Sequence, residues 1–69
     1  MGHSVLVRAV GRELDNLRGE AARIARQYQT EWCAEPRPSG TAFCFDNEKV
    51  RTIFLAYCAK YDIPCSRES

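Results

Sequence analysis

The chain of 69 residues holds a single histidine, and no stretch approaches the roughly 18 apolar residues that a membrane-spanning helix needs. With His3 alone to act as a neutral base, nucleophilic chemistry of the Ser–His or Cys–His kind has little to work with. No G-x-S-x-G, phosphate-binding loop or glycine-rich dinucleotide signature occurs. Glu13 with Glu20, or Asp46 with Glu48, could pair as acid and base, but on so small a domain they read as surface and cap residues. An enzyme is not expected.

Excess charge is missing too. Ten basic residues face nine acidic ones, so nothing drives the whole molecule toward nucleic acid or an anionic membrane. The start shows no secretory signal, because Arg8, Arg12 and Glu13 interrupt any apolar segment. A cytoplasmic protein with reduced thiols is therefore expected. Cys33, Cys44, Cys58 and Cys65 contain no C-x-x-C pair, so even with His3 they predict neither a zinc site nor any other cofactor. They read as small buried hydrophobes, Cys58 above all.

The strongest pattern present is a helical one. Leu6, Val10, Leu14, Leu17, Ala21, Ile24, Tyr28 and Trp32 recur at spacings of four and three, which places them on one stripe of a helix over residues 4–33 with Ser4 as its N-cap. Gly11 and Gly19 weaken it. Because the stripe runs through Gly19 in phase, one long helix is preferred to a hairpin of two. Pro36, Pro38 and Gly40 make 34–45 a loop, with Thr41–Phe45 as a short extended segment. A second helix is expected over 46–61, with Asp46 as its cap and Val50, Ile53, Phe54, Tyr57 and Tyr61 on its inner stripe. Pro64 ends it and leaves 62–69 as a mobile tail.

The fold class so predicted is mainly α, one small helical domain over residues 1–69. A first helix of about 45 Å is twice as long as a second of about 22 Å. Half the long stripe then lacks a cover within the chain, and a helical homodimer would supply one.

Eight of the ten bases are arginine, the residue suited to forked contacts with carboxylates and phosphates. Arg8, Arg12, Arg23 and Arg26 fall on the side of the first helix opposite the apolar stripe; with Arg37 of the central loop they are the candidate partner-binding residues. Trp32, Phe43, Phe45, Tyr57 and Tyr61 read mainly as core. The expected function is that of a non-enzymatic interaction module that binds and modulates a larger protein through the Arg face or the loop. In size and style it resembles small bacterial or phage accessory proteins. The alternative is a nucleic-acid-binding regulator using the same Arg face, although no aromatics interleave with the arginines as in a single-strand binder.

Overall fold

The first segment obeys a period of two, not 3.6. Val5 and Val7 are fully buried while Leu6 between them points to the other side, and His3–Val7 forms strand β1 in the computed structural model, which describes residues 3–68. The backbone then turns at Gly11, whose φ of 62° lies in the left-handed region open to glycine. Helix α1 follows over Gly11–Gln27, with Val10 at the cap position and no side-chain cap. It passes through Gly19 without a break.

Both helices end in the same way. At α1 the N–H of Gln29 donates to the Arg26 carbonyl and that of Thr30 to Ala25; after α2 the N–H of Asp62 donates to Ala59 and that of Ile63 to Cys58. This is the Schellman arrangement, and its left-handed residue is Gln29 (φ 54°) or Asp62 (φ 57°) where glycine is usual.

Between the helices lie strands β2 (Trp32–Arg37) and β3 (Gly40–Phe45), joined by a two-residue turn at Pro38–Ser39. Helix α2 spans Glu48–Lys60, and its cap is Asn47, whose Oδ1 accepts from the N–H of Lys49 (2.8 Å) and of Val50 (3.3 Å). Cys65–Glu68 forms strand β4.

The strands make one antiparallel sheet in the order β2-β3-β1-β4. β1-α1-β2 and β3-α2-β4 are each a βαβ unit split by a strand of the other, the interleaved arrangement of a β-α-β-β-α-β fold. Strands β1 and β3 are central, β2 and β4 are edges. The helices share one face of the sheet, where Phe54 of α2 sits 5.0 Å from the Phe43 ring and 5.3 Å from Phe45, beside Leu17, Ala21 and Ile24 of α1. At the end of the β1–β3 ladder a Cβ on Gly40 would collide with the Val7 carbonyl oxygen, so only glycine fits there.

The protein is thus α+β, and the expectation of a mainly α chain is overturned. Residues 4–33 divide into β1, α1 and the start of β2. Leu6 lies on a strand, Val10 is exposed, and Trp32 packs flat over Phe43 from β2 (centroids 6.2 Å apart). The loop assigned to 34–45 is instead a hairpin, because an edge strand tolerates Pro36. The second helix starts two residues after Asp46, and in the segment assigned as a tail over 62–69, Cys65–Glu68 is a strand paired with β1, while Ser69 lies outside the described residues. The ground for a helical homodimer disappears: with α1 at 17 residues, Leu17, Ala21 and Ile24 are buried within one chain.

Candidate functional site

The five arginines singled out by sequence occupy three places. Arg12, Arg23 and Arg26 are exposed on the outer face of α1. Arg23 is held by the Glu20 carboxylate one turn back, and that hydrogen bond, with the charge behind it, raises its pKa further. Arg8 is in the connection between β1 and α1, outside the helix, beside a cavity of about 290 Å³ that it lines with Leu6, Pro64, Cys65 and Ser66. Arg37 is on β2, on the sheet face that the helices leave open.

A groove marks the end of the molecule where β1 runs into α1 and α2 into β4. The two junctions are joined by the Arg8 N–H, which donates to the Pro64 carbonyl at 3.0 Å. Glu13, Asn16 and Leu17 of α1 form one wall and Tyr57, Tyr61 and Ile63 the other, around about 260 Å³. The two tyrosine rings lie 4.8 Å apart, and Lys60 Nζ sits 5.5 Å from the Tyr61 ring. Burial, then the charge of Glu20, raises the Tyr57 hydroxyl above its ordinary pKa. Val10 is 82% exposed and Tyr61 54%. Sequence reading placed Val10 on a buried stripe and Tyr61 in the core; Tyr61 lines this groove, and Val10 stands exposed at the cap position of α1.

The open sheet face is polar. Pleating and register put Cys33, Glu35 and Arg37 of β2 on it, with Cys44 of β3, Ser4 and Leu6 of β1, and Glu68 of β4. Trp32, Phe43 and Phe45 point the other way, toward the helices, so the face has none of the aromatic platforms on which bases stack. One transverse row crosses all four strands: Glu68, Ser4, Cys44 and Cys33 are successive register partners. The Ser4 hydroxyl donates to Cys44 Sγ at 3.4 Å. The Cys33 thiol is pushed above its ordinary value, chiefly by desolvation and then by its hydrogen bond with Cys44, with Glu35 and Asp46 acting in the same direction.

The other two cysteines also meet. Cys58 of α2 is wholly buried, and its thiol is pushed up to about 12 by burial, assisted by the charge of and a hydrogen bond with Cys65. All four are free thiols. Sequence spacing hid both pairs. The first was encoded in the hairpin, since Cys33 and Cys44 are equally distant from the Pro38–Ser39 turn.

Among the described residues no three His, Cys, Asp or Glu side chains are grouped as metal ligands, and no helix is long and apolar enough to cross a membrane. His3 pairs with Phe45 at the end of β1. The carboxylates considered as acid and base take other parts: Glu20 holds Arg23, and Glu48 lies 3.5 Å from Arg51. No protein family matches the chain, and no curated protein matches it in sequence.

Proposed function

We propose that this chain is a non-enzymatic cytoplasmic interaction module, which binds and modulates a larger protein through the end of the molecule bearing the Tyr57–Tyr61 groove. The observation that carries this reading is the exposure of Tyr61 in that groove, with Val10 exposed at the cap position of α1. Exposed apolar and tyrosine side chains around a concave site are the usual anchors of protein recognition. Arg8, Arg12 and Lys60 belong to the same end and favour a partner segment that carries carboxylates around an apolar anchor. Glu13 on the wall restricts where those carboxylates can sit. Of the arginines first considered, Arg8 and Arg12 stand at this end, Arg8 lining its separate cavity, whereas Arg23 and Arg26 extend away along α1 and Arg37 is on the far side of the sheet.

Affinity capture from the native cell with mass spectrometry tests this with three proteins: the parent, a Val10→Asp/Tyr61→Ala variant, and an Arg23→Glu/Arg26→Glu variant. A protein retained by the parent and the second variant but lost by the first places the site at the groove. If the arginine reversal alone abolishes capture, the site lies on the outer face of α1. Nucleic-acid binding there would instead show as a duplex-DNA affinity that falls steeply with salt, since each neutralised phosphate steepens the dependence.

A further inference from the structure

Four cysteines scattered along the sequence meet as two pairs that differ in access. Cys33 and Cys44 face each other across the β2–β3 ladder on the open side of the sheet, and Cys33 is exposed. Directly opposed residues of antiparallel strands have Cα atoms about 4.5–5.5 Å apart, inside the range a disulfide spans, and closure needs their Cβ atoms drawn together by about 1 Å. Cys58 of α2 is fully buried, and Cys65 of β4, which faces it, is half-buried.

We propose that Cys33 and Cys44 form a surface dithiol that closes reversibly to a disulfide by exchange with an incoming disulfide flanked by positive charge, fastening edge strand β2 to β3. Exposed Cys33 reacts first. Its access sets the order, although its raised pKa keeps the thiolate fraction small; once the proton is lost to solvent, the thiolate attacks one sulfur of the incoming disulfide, that bond breaks and the departing thiolate takes up a proton. Cys44 then deprotonates and attacks Cys33 Sγ, forming the internal bond and releasing the second thiol. Two protein S–H bonds and one foreign S–S bond become one protein S–S bond and two foreign S–H bonds. The two electrons leave the protein on the released thiols, and no other oxidant takes part.

The surroundings select the reagent. A depression of about 140 Å³ lined by Glu31, Trp32, Cys33, Cys44 and Asp46 gives access to the pair; its lining holds two carboxylates and no base, while Glu35 nearby is paired with Arg37. A cationic disulfide is attracted there, while an anionic one such as glutathione disulfide is repelled. Ser4, donating to Cys44 Sγ, holds that sulfur in place on the open face beside Cys33 for the second attack.

The test exposes the native, reduced protein to cystamine or to glutathione disulfide, quenches with iodoacetamide, and reads intact mass and linked peptides. The expected product has lost two hydrogens and joins Cys33 to Cys44, with Cys58 alkylated only after unfolding. It forms several-fold faster with cystamine, by a margin that narrows as salt is added. The Cys44→Ser variant should stop at one cysteamine adduct on Cys33, and the Ser4→Ala variant should close more slowly. A parent protein that accumulates the mixed disulfide without closing, or that joins any other pair, overturns the dithiol; equal rates with the two reagents overturn the charge selection. The parent's linkage decides the first point even if a variant fails to fold.

Discussion

Arg37 and Glu68 stand on the two opposite edge strands of the sheet, yet Arg37 Nε lies 3.2 Å from Glu68 Oε2 and Nη2 3.3 Å from Oε1. One guanidinium therefore reaches across β3 and β1, while its Nη1 also donates to Glu35 at 3.1 Å on its own strand. Glu68 is the last residue of β4, a strand of only four residues. The contact clamps the shorter edge from across the sheet.

Glu68→Gln should loosen that clamp without unfolding the protein, because both side chains are partly open to solvent and screened. Amide hydrogen exchange along Cys65–Glu68 should quicken while the β1 and β3 core amides keep their protection. Arg37→Lys should behave likewise, since a single ammonium lacks the fork that holds Glu35 and Glu68 together. Unchanged exchange in β4 would remove the clamp from the account of this edge.

Two glycines of α1 should respond in opposite ways to alanine. Gly19 is mid-helix, with nothing within 4 Å of a would-be Cβ, so Gly19→Ala should stabilise by about 1 kcal/mol. Gly11 also has free space, but its φ of 62° penalises any side chain, and Gly11→Ala should cost about 1 kcal/mol. Denaturant midpoints of the two variants against the parent measure this, and a gain at Gly11 would mean the turn relaxes to another geometry.

The interior of α1 was legible because Leu14, Leu17, Ala21 and Ile24 keep a helical period. Its limits were not. Leu6 and Val10 precede that run in phase by coincidence, while the residues that β1 and its exit bury, Val5, Val7 and Ala9, obey the competing period of two. At the other end the stop is a left-handed Gln29, and without glycine the sequence carries no terminator there. Strand β2 was hidden by Pro36, and polar β4 has no local signature, being defined by its pairing with β1. The site followed the same rule. Once residues 4–10 leave the helix, Arg8 separates from Arg12, and the Cys33–Cys44 pair exists only through a hairpin register that the loop assignment excluded.

Arg51 presents a different burden. It is buried on α2, its Nε is the one buried side-chain polar atom among the described residues without a hydrogen-bond partner, and its Nη2 reaches Glu48 only at 3.5 Å. An unmet buried donor costs about 1–3 kcal/mol, more than a largely solvated ion pair returns. Arg51→Met, which keeps the apolar stem, should therefore raise stability by about 1 kcal/mol. A fall in the thermal midpoint would show that the guanidinium supports packing in its own right.

Alkaline pH should expose the Cys58 thiol as a stability element. In the folded chain burial holds its pKa up at about 12, whereas in the unfolded chain it ionises near 8.5. Below about pH 8.5 both states carry the proton and Cys58 contributes no pH dependence. Between there and about 12 the folded state binds more protons than the unfolded one, so stability falls as pH rises. The thermal midpoint should accordingly decline above pH 9. Other groups titrate in the same range, so the comparison that isolates this thiol is with Cys58→Ala: that variant should start lower, because it empties a core position, yet lose less stability per pH unit over the same interval. Parallel slopes for the two proteins would show that Cys58 is not the group responsible for the alkaline loss.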